Sequence, residues 1–345
     1  MTRMDQKLQN ILAGRYKRSD FIIADAKDSD AGAGTTSTGV DYSVSPPRPR
    51  SRDEFLDQID KIIKQDIVDI MLVSVSNLER LHERQAFAGT AVKPAIRANV
   101  TTDCWGGIRH GRYTTVPSRP FRSVTISRAM TGTAQPSPGA PITGTDLGLY
   151  SVTFVNDPEL DARALEEFKL FREEAAVNNF KYFYEVFNPN IDIKMDHETI
   201  GEFLNDAILK SLAALTKAER PKFLKIPFNG PKALEELANF DSQLVVGVLG
   251  GGAGTTRDTF ELVSQAEKYG GRLALFGRKI RLAEAPLELI VLMRQVADGT
   301  IAPEEAVRAY HGEVQKLGIK PVRSLEDDRA ITEAVLKPAA SLRAA

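Results

Sequence analysis

Phe223-Leu224-Lys225-Ile226-Pro227-Phe228-Asn229-Gly230 is a short apolar run broken by one lysine and closed by proline and glycine. Its length and ending read as a buried strand rather than a helix. A helical pattern follows at 231–238, a second strand at 243–249, the glycine run Gly250–Gly254, a helix at 256–269 and a third strand at 272–276. Strands separated by helices imply a parallel sheet, because a parallel neighbour needs a crossover. Upstream the same rhythm recurs. Strand patterns lie at 21–25, 67–75, 92–100, 147–155 and 181–187, with helical patterns at 52–65, 77–85, 158–177 and 197–216. Helices at about 285–297 and 303–316 complete the run. Eight strand units over this length predict an α/β fold, a closed (β/α)8 TIM barrel. The runner-up is a doubly wound open sheet with an inserted segment.

Two stretches interrupt the rhythm. Residues 28–50, after strand one, and 101–146, after strand three, are rich in Gly, Pro, Ser and Thr. In a barrel both rim the carboxyl ends of the strands, where active sites form. They are expected to be long active-site-side loops, the second holding a local hairpin with Phe121–Ser127 as one strand. Residues 1–320 read as one barrel domain and 321–345 as a terminal helix and an Ala-rich tail.

Composition narrows the function classes. The chain has 345 residues, 42% hydrophobic and 26% charged, which fits a globular protein. Its 45 basic and 46 acidic residues leave a net charge of -1, so no basic footprint points to nucleic acid or an anionic membrane. No apolar run approaches the ~18 residues of a membrane span, and the polar start predicts no signal peptide. The single cysteine, Cys104, excludes an internal disulfide and suits a reducing cytoplasm. No His/Asp/Glu spacing recommends a metal site. His311 lies in a charged helical context and reads as solvated.

The candidate chemistry lies at strand ends. A lysine inside an apolar strand either snorkels to solvent or is desolvated, and burial disfavours an ammonium and exposes the lone pair. A desolvated lysine attacks carbonyls. Asp25 ends strand one and shares a face with Ile23 and Lys27. Glu185 lies late in strand five, and Tyr182 and Tyr184 alternate with it and take the opposite face. Arg97 and Asn99 share a face of strand three. The glycines after strand seven admit close approach of an anion, and Thr255-Thr256-Arg257-Asp258 opens a helix with a hydroxyl and amides free at its positive end. Gly277 and Arg278 follow strand eight, where barrel phosphate sites recur. The same glycines also suit a tight turn with no ligand. Trp105, Arg109, His110 and Arg112 follow strand three and either contact a second anionic group or form a surface loop.

In order and spacing, FIIADAK with Asp25, YEVF with Glu185, FLKIPF with Lys225, VVGVLGGGAG and LALFGRKI resemble the class I, Schiff-base aldolase superfamily. That superfamily includes the barrel fructose-bisphosphate and tagatose-bisphosphate aldolases and deoxyribose-phosphate aldolase. The resemblance is strongest over 147–300 and weakest over 28–146. It implies a cytoplasmic, cofactor-free and metal-independent lyase, oligomeric as the family usually is. Such an enzyme cleaves or forms a carbon–carbon bond in a phosphorylated ketose or related carbonyl compound. It implies Lys225 as the Schiff-base lysine, Asp25 and Glu185 as proton-transfer groups (Tyr184 as a possible donor), and Gly251, Gly252, Gly277 and Arg278 as the phosphate site. Some relatives carry a further lysine on strand four; residues 147–155 have none, and Lys27 is the candidate replacement. Schiff-base acyl transfer or isomerisation on the same scaffold, or phosphosugar binding without catalysis, are the alternatives.

Overall fold

The computed structural model describes residues 2–337. Eight parallel strands close on one another: β1 (Ile22–Lys27), β2 (Ile70–Val73), β3 (Lys93–Arg97), β4 (Leu147–Thr153), β5 (Lys181–Phe187), β6 (Phe223–Ile226), β7 (Val246–Leu249) and β8 (Leu273–Phe276). β1 pairs with both β2 and β8, which shuts the barrel. The (β/α)8 expectation is met, and the open doubly wound alternative is not.

The longer helices surround the strands and close one end of the barrel. They are α1 (Arg3–Leu12), α2 (Arg52–Gln65), α3 (Val75–Glu83), α4 (Pro158–Val177), α5 (His197–Leu212), α6 (Pro231–Phe240), α7 (Thr256–Lys268), α8 (Pro286–Asp298) and α9 (Pro303–Lys316). Local signals fix their starts. Ser51 and Glu54 form a reciprocal capping box on α2, and Asp157 caps α4 ahead of Pro158. None of the described helices is long and apolar enough to cross a membrane.

Strand alternation builds two cores. Ile22, Ala24, Ala26, Ile70, Leu72, Ala95, Leu147, Leu149, Phe183, Phe223, Leu273 and Leu275 fill the barrel interior. Ile23, Met71, Val73, Tyr150, Tyr184, Leu224 and Phe276 face outward into the layer under the helices. Truncating a buried Leu in either core to Ala costs about 2–5 kcal/mol. α1 closes the amino end of the barrel with Met4 and Leu8 against the interior cluster. Its Arg3 and Lys7 reach the fully buried Asp69 at 2.8 and 2.9 Å, and Asp69 also accepts from the Ile23 amide. With that end plugged, the mouth at the carboxyl ends is left for a site.

Two segments differ from their sequence patterns. Residues 120–122 do form a strand, but its partner is Asn99–Thr101, while Ile126–Thr131 is helical. Burial of Ile126, Ala129 and Met130 against the outer core favours that helix over a longer hairpin. Beyond 321 the described chain holds one helical turn at Leu325–Asp328 and a 3-10 turn at Ala334–Leu336. The rest of the expected tail lies outside the described residues.

Candidate active site

The register lines up the chemistry. Ser151 stands opposite Glu185 across β4 and β5, and Glu185 opposite Lys225 across β5 and β6. All three continue the inward faces of Leu149, Phe183 and Phe223. Next in the row is Gly247, whose missing side chain leaves room for Leu273. Lys225 and Glu185 are both buried. Lys225 Nζ lies 2.5 Å from Glu185 Oε1 but off the direction of a hydrogen bond, so Oε1 has no aligned donor. Glu185 Oε2 accepts from Ser151 Oγ at 2.5 Å and from Arg97 Nη2 at 3.4 Å.

Arg97 ties this row to β1. Its Nε donates to Asp28 and its Nη1 to Ser151 Oγ at 2.8 Å. Burial alone would raise the Asp28 carboxyl, but the charges of Arg97 and Lys225 outweigh it and hold Asp28 below the usual range. Arg97 itself is held more firmly protonated despite its burial by Asp28 and Glu185. Asn99 points to the neighbouring strand: its side chain donates to Ser151 O at 2.9 Å and accepts from Ser151 N at 2.6 Å, extending the β3–β4 ladder.

Lys225, Glu185, Arg97 and Asp28 floor a cavity of about 650 Å³ at the carboxyl ends of the strands. Its roof comes from the two insertions. The short helix Asp30–Ala33 packs on the 3-10 turn Thr102–Gly107. A Cβ on Gly32 would lie 2.6 Å from Cys104 O, and one on Gly107 would lie 2.9 Å from Ala33 Cα, so both contacts need glycine. Arg281 Nη1 pins the first insertion by donating to Thr36 O and Ser37 O at 3.2 and 2.9 Å. Cys104 also lines the cavity; burial pushes its thiol up to about 11, so it stays protonated at neutral pH.

The expected residues divide. Lys225, Glu185, Arg97, Gly251, Gly277 and Arg278 line the cavity, together with Gly250, Asp28, Asp103 and Arg281. Gly252 does not. Neither do Asp25 and Lys27, which point outward from β1 and lie 3.3 Å apart, both fully buried, without hydrogen-bond alignment. Burial pushes the Asp25 carboxyl up to about 6 against the pull of Lys27, and it pushes the Lys27 amine down. The cation beside the lysine row is therefore Arg97, and the β1 carboxylate in the cavity is Asp28, one inward step beyond Ala26. Tyr184 stacks on Phe168 in the outer core, 4.4 Å between ring centres. Trp105 packs edge-on against Tyr113 and Phe121, away from the cavity. Arg109 is exposed and donates to Thr35 Oγ1 at 3.2 Å, and His110 and Arg112 are exposed beside it.

The positive end of α7 is closed. Thr255 and Asp258 cap it reciprocally, Thr256 N donates to Asp328 Oδ1 at 2.8 Å, and Thr255 Oγ1 donates to Ala330 O at 2.7 Å. The expected free amides and hydroxyl are thus used by the chain's own C-terminal segment. His311, read as solvated, is largely buried and bonds to the same Asp328 at 3.0 Å. What remains for an anion is the loop itself. Gly251 has φ +65°, which a glycine adopts without strain. Among the described residues none accepts from the amide of Gly251 or Gly252, and Arg278 makes no ion pair.

No family model matches the chain, and no curated protein matches it by sequence. Solved structures do match. An archaeal fructose 1,6-bisphosphate aldolase is similar with TM-score 0.57 at 13% identity, over 85% of this chain and 99% of that one. A Schiff base forming fructose-1,6-bisphosphate aldolase gives 0.58 at 14% identity, over 85% and 99%. The fructose-bisphosphate aldolase of Slackia heliotrinireducens gives 0.60 at 10% identity, over 91% and 92%. At such identities the likeness is one of fold: the chain has the closed barrel of the class I aldolases.

Proposed function

We propose that the protein is a Schiff-base lyase that cleaves or forms a carbon–carbon bond in a phosphorylated carbonyl compound, with Lys225 as the nucleophile. The observation that carries this reading is the inward row Ser151–Glu185–Lys225 beneath a cavity whose other side presents Gly251, Gly277 and Arg278. A bare fold likeness would not carry it.

The chemistry follows from these positions. Glu185, 2.5 Å from Lys225 Nζ, takes the ammonium proton. The free amine then gives its lone pair to the substrate carbonyl carbon. The carbonyl oxygen takes up protons and leaves as water, and an iminium remains. Asp28, ionised beside Arg97, removes the proton from a substrate hydroxyl two carbons away. The carbon–carbon bond breaks, its electron pair flows to the iminium nitrogen, and an aldehyde and an enamine result. Protonation of the enamine carbon and hydrolysis restore the lysine. General acid–base help from such carboxylates is worth about 10²–10⁴-fold.

The deciding experiment is reduction with borohydride in the presence of a phosphorylated ketose, followed by peptide mass analysis. A substrate-dependent mass on Lys225 is expected; an adduct elsewhere, or none, removes the reading. Product analysis separates the lyase from an isomerase or acyl transferase, because only the lyase releases a shorter aldehyde. Under the same reading the protein works in the cytoplasm as a homo-oligomer and keeps its activity after dialysis against EDTA.

A further inference from the structure

The cavity is electrically lopsided. In the closed strand order β3 stands opposite β7 and β4 opposite β8. The β7 and β8 side contributes Gly250, Gly251, Gly277 and the exposed Arg278, with Arg281 just behind. The opposite side contributes Asp103, Cys104 and Val100 after β3, next to Phe187 at the end of β5. Asp103 is anchored there: Oδ1 accepts from Ser118 Oγ at 2.6 Å and Oδ2 from Thr153 Oγ1 at 3.0 Å. Each carboxylate oxygen has a second lone pair to offer. The cation on that side, Arg97, already serves Asp28, Ser151 and Glu185. Arg109, His110 and Arg112, from the segment after β3, do not line the cavity.

We infer that the substrate carries a single phosphate, held at the β7–β8 rim, and that its other end is uncharged and hydroxyl-bearing, reaching Asp103. This rests on the Schiff-base reading for the chemistry, but the charge pattern stands on the cavity lining alone. A second phosphate at the far end would meet the carboxylate of Asp103. Like charges so placed reject a ligand that a neutral hydroxyl suits.

Calorimetry on the full chain with fructose 1-phosphate, fructose 6-phosphate and fructose 1,6-bisphosphate tests the inference, with borohydride trapping run in parallel. One monophosphate should bind at least tenfold tighter than the bisphosphate. Arg278→Ala should weaken that monophosphate at least tenfold, and Asp103→Asn should narrow the gap to the bisphosphate. A bisphosphate that binds as tightly as both monophosphates, or failure of all three to bind, overturns the inference. A gap unchanged in both Asp103→Asn and Asp103→Ser overturns the role of Asp103. Because binding needs no Schiff base, a monophosphate preference without any Lys225 adduct supports the inference while removing the lyase reading. An adduct formed fastest from the bisphosphate does the reverse.

Discussion

Lys225 and Glu185 are register partners on adjacent strands, 2.5 Å apart at their charged ends and not aligned as a hydrogen bond. The amine is held next to a proton acceptor without being locked to it. Lys225→Met keeps the length of the side chain and removes the nucleophile, and Glu185 keeps its bonds to Ser151 and Arg97. Turnover and borohydride adduct should both vanish while the circular dichroism spectrum is unchanged. Residual turnover above about one part in 10⁴ would exclude covalent catalysis by this lysine.

The two β1 carboxylates predict opposite outcomes. Asp28→Asn removes the ionised group in the cavity and should lower kcat/KM by about 10²–10⁴. Asp25→Asn/Lys27→Met replaces a buried pair outside the cavity and should leave kcat/KM within about threefold. Stability carries a second signature. Asp25 titrates near 6 in the folded chain and near 4 unfolded, so the folded state holds a proton that the unfolded state has lost across that window. Its contribution therefore falls by about 3 kcal/mol as pH rises from about 4 to about 6. Urea titrations at several pH values should find that slope in the parent and not in the double variant.

The contrast between Asp25 and Asp28 also marks where the sequence stops being legible. Every residue of β1 is buried, and its one charged face, Asp25 and Lys27, turns outward while Ala24 and Ala26 face the interior, so alternation alone does not tell inside from outside. Glu185 was readable because aromatic neighbours flank it, and Tyr182 and Tyr184 do take the outer layer. Ser151 could have been found as the first of two polar residues, with Thr153, on the parity of Leu147 and Leu149 in an otherwise apolar strand. The Thr255–Asp258 capping pair is a local pattern, but Asp328, which accepts from the neighbouring Thr256 N, lies 72 residues beyond it, and no spacing rule links them. The roof contact of Gly32 with Cys104 joins two insertions in the same way.

Arg97 should set the acid limb of the pH–rate profile. It is the main charge holding Asp28 below the usual carboxylate range against burial. In Arg97→Met, burial prevails and Asp28 becomes ionised only at higher pH. The acid limb of kcat/KM should move to higher pH by at least one unit, with kcat at high pH reduced less than kcat at neutral pH. A uniform loss at all pH values would mean that Arg97 acts only by shaping the cavity.

Asp258 should govern both the glycine loop and the C-terminal segment laid over it. Its carboxylate is fully buried and accepts from Thr255 N at 2.9 Å, Thr332 N at 2.8 Å, Thr332 Oγ1 at 2.5 Å and Glu333 N at 3.2 Å. Burial alone would raise it, and these donors reverse the balance, so it titrates below its ordinary value. A depressed folded value means that its stabilisation is complete above about pH 4 and is lost as pH falls through the folded value. Glu333 also pairs with the buried Lys279 beside β8 at 2.7 Å, so loosening this segment reaches the β7–β8 rim from two sides. Asp258→Ala leaves several donors without their acceptor and should cost about 3 kcal/mol. Amide exchange at Thr332 and Glu333 should speed up in Asp258→Ala at neutral pH, and in the parent only below about pH 4. Exchange that is unchanged in the variant would mean that the segment is held by Asp328 and Lys279 alone.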